Sequence, residues 1–102
     1  MNQAQIMQQM RKMQQEMAKA QEELANTIVT GAASGGLVEV EMTCNHRMKS
    51  IRIKSEAIDP ADAETLEDLI VVACNDALKK IEETTQTRMG ALTGGLRIPG
   101  LT

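Results

Sequence analysis

Ile6, Met10, Met13, Met17, Ala20 and Leu24 recur at alternating spacings of four and three, the signature of one long helix with a narrow apolar seam. At ~1.5 Å per residue, a helix over residues 2–25 spans roughly 36 Å. The strands that follow, of about seven residues at ~3.3 Å each, reach only about 23 Å. Such a helix overhangs its own sheet, and its seam needs a partner. On so small a domain this points to self-association or to a docked protein.

The 102 residues give room for one domain and one modest core. With no Phe, Tyr or Trp, that core must be built from Val, Ile, Leu, Met and Ala, which bury less area per side chain than aromatics do. Dimerisation would supply what the core lacks. Five of the eight methionines fall before residue 18, where their flexible thioethers suit an adjustable helix contact. The missing aromatics also argue against a single-strand nucleic-acid binder, which stacks bases on aromatic platforms. No apolar run is long enough to span a bilayer and no secretory signal pattern opens the chain, so a soluble cytoplasmic protein is expected. Cys44 and Cys74 lack CxxC spacing and read as reduced structural thiols.

Along the chain, Thr27 to Thr30 are β-formers without a helical stripe, and Gly31 offers a turn or bulge. Residues 32–36, Ala-Ala-Ser-Gly-Gly, read as a loop. In residues 37–43, Val38, Val40 and Met42 alternate with Glu39, Glu41 and Thr43, the pattern of a half-buried strand. A turn centred on Asn45 and His46 leads into residues 48–54, with Ile51 and Ile53 inward and Arg52 and Lys54 outward. Parity then sets Val40 opposite Ile51, Val38 opposite Ile53 and Glu39 opposite Arg52, joining apolar faces and opposite charges. Asp59-Pro60 signals a helix start, with Asp62 as a second one. A second long helix over 60–89 carries Leu66, Leu69, Ile70, Ala73, Ala77 and Ile81 on one face, widened by Val72, Cys74 and Leu78. So wide a face predicts cover by the sheet on one flank and by another helix on the other. Gly90 is the expected C-cap, and 90–102, with three further glycines and a proline, the expected mobile tail.

Catalytic chemistry finds little to work with. The one histidine, His46, sits at the hairpin tip without a carboxylate or cysteine at metal-ligand spacing, and the glycine pairs lack the phosphate-loop pattern. We therefore expect no enzyme, no metal, no cofactor and no small-molecule substrate. The net charge of −3 is unevenly spread: seven bases face five acids through Ser55, and four face nine beyond it. A polyanion should prefer the N-terminal half. There Gln8, Arg11, Lys12, Gln15 and Lys19 project more than roughly 100° from the seam, a basic and amide stripe able to meet phosphates. Against this stands a plainer reading, in which Lys12 with Glu16 and Lys19 with Glu23 are solubilising i,i+4 pairs.

The segment 29–41, Val-Thr-Gly followed by Gly-Gly-Leu-Val-Glu-Val-Glu after Ser34, together with residues 68–83, Asp-Leu-Ile-Val-Val-Ala-Cys-Asn-Asp-Ala-Leu-Lys-Lys-Ile-Glu-Glu, resembles the YbaB/EbfC family of bacterial nucleoid-associated proteins. The likeness covers almost the whole chain. It implies an α+β fold, a helix over 2–25, a three-stranded antiparallel sheet over 26–54 and a long helix over 60–89. It also implies a homodimer whose first helices project like tweezers. Further implications are double-stranded DNA as partner, a place in the cytoplasm at the nucleoid, and an effect on gene expression and nucleoid organisation. Contacts in the family fall on the first and last helices, which here hold Arg11, Lys12, Lys19, Lys79, Lys80 and Arg88. Low sequence specificity follows from a grip on phosphates. The other expectation is a protein-interaction adaptor, docking through the Met-rich helix and the apolar tail rather than binding DNA.

Overall fold

In the computed structural model, which describes residues 2–93, a helix α1 (Gln3–Ala25) precedes three strands, β1 (Ile28–Ala33), β2 (Val38–Thr43) and β3 (Arg47–Ile53). A helix α2 (Ala63–Thr93) follows. The α+β order and the antiparallel sheet are those expected. Asn2 caps α1, its Oδ1 accepting the Gln5 N–H at 2.9 Å. At the other end the Thr27 hydroxyl donates to the Glu23 carbonyl at 2.7 Å and the Asn26 amide to that of Glu22 at 3.0 Å. Carbonyls that would otherwise lack partners are thus satisfied within the chain.

The strands lie in the order β1-β2-β3, and the register between β2 and β3 is the one that parity demands: Val38 faces Ile53, Glu39 faces Arg52 and Val40 faces Ile51. The register then shifts. Glu41 faces Ser50 while Met42 faces Met48, leaving Lys49 as the extra residue of a bulge that alternation alone did not predict. At the hairpin tip His46, rather than Asn45, takes the left-handed backbone with φ 67°. Asn45 instead accepts the Thr43 hydroxyl through Oδ1.

Gly31 corrects the reading of β1. It makes neither turn nor bulge, and the strand runs through it to Ala33, so the loop shrinks to Ser34–Gly36. Gly31 is there because α2 lies against the strand. A Cβ on Gly31 would stand 2.2 Å from the Ala73 carbonyl oxygen and 2.4 Å from the Ala77 nitrogen. Ala73 and Ala77 are themselves fully buried. Three small residues therefore set the distance between helix and sheet, and Val38, Val40, Met42, Ala33, Cys44 and Ile81 fill the core around them.

The start of α2 is also moved. Asp59 and Pro60 form a turn in which the Asp59 carboxylate accepts the Ala61 N–H at 2.9 Å. The helix begins beyond Asp62, which accepts both the Thr65 N–H and its hydroxyl, at 3.2 and 2.6 Å. Proline at 60 therefore lies ahead of the helix, and Asp62 supplies the cap. Gly90 lies inside α2 rather than ending it. The tail expected at 90–102 falls, from residue 94 on, outside the described residues.

Two faces expected to be covered are open. Helix α2 lies on β1 and β2, so the same face of β3 is left bare: Ile51, expected inward, is 44% exposed, and only Ile53 packs against the core. On α2 itself Val71, Val72 and Leu78 are exposed where a second helix was expected. The α1 seam divides in the same way. Ala20 and Leu24 are buried, while Ile6, Met10, Met13 and Met17 are 42–59% exposed. The overhang is real: the chain measures 70 × 27 × 16 Å.

Substituting Gly31→Ala should lower stability by about 3 kcal/mol or more, because the added methyl meets backbone that cannot yield without moving α2. Chemical denaturation read by circular dichroism checks this, and a midpoint within error of the parent chain would refute the close-approach account.

Candidate nucleic-acid interface

Helix α1 carries its cations away from the sheet. Arg11, Lys12 and Lys19 are exposed, with Gln8 and Gln15 exposed beside them on the side opposite the seam. The i,i+4 pairs that would neutralise them do not form. Among the described residues the ion pairs are Lys80 with Asp76 and Arg88 with Glu23, so neither Lys12 nor Lys19 has a carboxylate within ion-pair distance. Glu23, four residues from Lys19, accepts the Arg88 Nε–H at 2.8 Å instead.

The bases of α2 are placed differently. Arg88 is half-buried and joins α2 to the base of α1 through Glu23. With Leu24 and Met89 packed into the core beside it, this pair ties α2 to the end of α1 from which the arm leaves the body. Lys80 donates from Nζ to the Thr30 carbonyl at 2.6 Å and lies 3.4 Å from Asp76. Asp76 in turn accepts the Ala32 N–H at 3.0 Å. These two side chains occupy outward-facing backbone groups of β1, an edge strand, much as a further strand would. Lys79 is exposed and has no ion pair among the described residues. Of the four α1 and three α2 residues expected to meet DNA, the structure gathers Arg11, Lys12, Gln15 and Lys19 on one free face, leaves Lys79 open, and engages Lys80 and Arg88 within the fold.

Asp76 was not singled out in the sequence, although its i,i+4 spacing to Lys80 was visible there. Its carboxyl is held below the usual range, first by the Ala32 N–H, which outweighs the opposing effect of burial, and then by the charges of Lys80 and Lys79. Asp62 is lowered too, by the hydrogen bonds from Thr65. Burial pushes the Cys44 thiol up, and both cysteines are free, in keeping with structural thiols. No cluster of three or more His, Cys, Asp or Glu among the described residues could hold a metal. No described helix is long and apolar enough to cross a membrane.

Because the folded state lowers the pKa of Asp76, its contribution is complete above the ordinary aspartate value near 4 and is lost as pH falls through the lowered value. Acid titration of thermal stability should therefore show a loss below about pH 4 that is smaller in Asp76→Asn. An identical acid limb in parent and variant would contradict this assignment.

Comparison with known proteins meets this geometry from outside. The chain matches the YbaB/EbfC DNA-binding family over residues 1–96. A nucleoid-associated protein of Pelotomaculum thermopropionicum is 48% identical over 100 residues, covering 98% of this chain and 95% of the relative. Nucleoid-associated proteins of Chloroflexus aurantiacus and Desulforamulus reducens are 50% and 51% identical, covering 95% and 98% of this chain and 97% and 95% of theirs. The crystal structure of an uncharacterized protein from Helicobacter pylori shares the fold, with a TM-score of 0.74 at 24% identity over 95% of this chain and 99% of that one. An ordered sequence pattern, a sheet backed by one long helix and a second helix standing off it thus converge, and the chain belongs to the YbaB/EbfC DNA-binding family.

Proposed function

We propose that this chain is a nucleoid-associated protein that binds double-stranded DNA as a homodimer, mainly through phosphates and with low sequence specificity. The observation that carries the reading is the row of unneutralised cations Arg11, Lys12 and Lys19 on the outer side of a helix that overhangs its domain. Cations without carboxylate partners attract a polyanion at full strength, and a row of them along a rod suits a regular backbone of phosphates. Gln15, between them, can donate to phosphate oxygens, and Lys79 adds a further free charge. Lys80 and Arg88, already engaged with Thr30, Asp76 and Glu23, contribute to the field rather than by contact.

The dimer is supported by what one copy leaves bare. Val71 and Leu78 lie on the flank of α2 away from Asp76 and Lys80, turned toward the β3 side where Met48 and Ile51 are also exposed. The seam residues Ile6, Met10, Met13 and Met17 form a second bare apolar surface. Two copies that cover such surfaces present two arms. Six cations then displace about six counterions, giving a slope of log K against log salt near −5. Binding of this kind at many sites would serve nucleoid organisation and reach gene expression without a defined operator.

Charge reversal of Arg11, Lys12 and Lys19 to Glu should abolish a duplex mobility shift while leaving the helical circular dichroism and the dimer mass unchanged. An undiminished shift would refute the arm as the contact surface. The adaptor reading draws on the same exposed methionines and predicts the reverse: binding to a protein that survives high salt and is lost in Met10→Asp or Met13→Asp.

A further inference from the structure

The two edges of the sheet are treated differently. Asp76 and Lys80 occupy the outer side of β1, whereas β3 is the open edge, and it is densely cationic. Arg47, Lys49, Arg52 and the adjoining Lys54 are all exposed. Arg47 faces Thr43 and Arg52 faces Glu39, so both project with the polar residues of β2 onto the sheet face that α2 does not cover. Lys54, two residues beyond Arg52, shares that parity, and Lys49 is the extra residue of the bulge. The cross-strand charge pairing expected for this face does not close: none of the four bases has an ion pair among the described residues. The neighbouring acids, Glu39 and Glu41, form no ion pair with these bases. Glu41 accepts the Ser50 hydroxyl at 2.8 Å. A Glu39 carboxylate oxygen lies beside Gly36, 3.0 Å from where a Cβ would stand on it.

Four cations on a row about 23 Å long, beside two acids, make a linear surface of excess positive charge. A rod-like polyanion fits it. At 3.4 Å per base pair, that length spans about seven base pairs of duplex backbone. We infer that the β3 edge, through Arg47, Lys49, Arg52 and Lys54, is a second phosphate-contacting surface for duplex DNA, separate from the α1 stripe. The inference rests on the DNA-binding reading and extends it to a part of the fold outside both helices. Charged residues on an open edge also keep copies from pairing strand to strand. That role leaves the salt dependence of DNA binding untouched, and this separates the two.

The test is fluorescence anisotropy of the full chain with a labelled duplex across a salt series, alongside the combined variant Arg47→Gln, Lys49→Gln, Arg52→Gln and Lys54→Gln. The expected result is at least about tenfold weaker binding at low salt and a log K against log salt slope shallower by about 2 or more. Exchanging Lys for Arg and Arg for Lys at the same four positions should retain both. Circular dichroism and molar mass establish that the fold and assembly persist. If the combined variant does not fold, Lys49→Gln with Lys54→Gln takes its place, with a slope shallower by about 1 or more. A folded variant whose affinity and slope match the parent overturns the inference. Failure of the parent chain to bind duplex overturns the DNA-binding reading itself, and the inference with it.

Discussion

The distance between α2 and β1 governs this fold. A chain without aromatic side chains cannot fill a wide gap between helix and sheet, and this one closes the gap instead. Gly31 meets the backbone of α2 at Ala73 and Ala77, so dispersion contacts come from close approach rather than from bulk. The Asp76 contact to β1 is a consequence of that approach, since so short a side chain reaches the Ala32 N–H only when the helix lies against the strand.

A narrow core of this kind shields little surface. Helix α2 covers two strands and leaves the third, and the arm is anchored near its C-terminal end, through Ala20, Leu24, the Cys44 N–H on the Leu24 carbonyl and the Glu23–Arg88 pair. Apolar residues therefore stand exposed along the α1 seam and on the α2–β3 side, and cations along α1 and β3. Such a distribution is what the proposed dimer and its grip on an extended anion would use. The acidic total charge does not oppose this, because most acids lie beyond residue 55, whereas the free bases of α1 and β3 lie before it.

Much of this was legible in the sequence, where periodicity is strong. The α1 seam, the strand alternation and the β2–β3 register follow from spacing alone, because a slip of one residue would expose Val38 and Val40. What escaped were matters of tertiary context. Gly31 resembles any turn glycine until α2 is laid against it. Asp59-Pro60 and Asp62 both announce a helix, and only the hydrogen bonds of Thr65 decide between them. Ile51 alternates correctly, but alternation does not say whether a helix reaches the third strand. On the candidate interface, the α1 stripe was visible at 100° per residue, while the pairing of Glu23 with Arg88, 65 residues away, was not. The bases of β3 were obscured by the pairing that alternation led one to expect.

The shallow anchorage of α1 makes it a lever. From Ala20 to Gln3 the arm extends about 26 Å beyond its pivot, so a tilt of only ~10° at the pivot would displace the tip by about 4–5 Å. The Glu23–Arg88 link sits close to that pivot, where a small movement within one ion pair is magnified along the rod. Cations hold phosphates best when they can follow the local width and bend of a duplex. In the proposed complex, a helix held at one end and free along the rest lets its cations make that adjustment without any part of it unfolding.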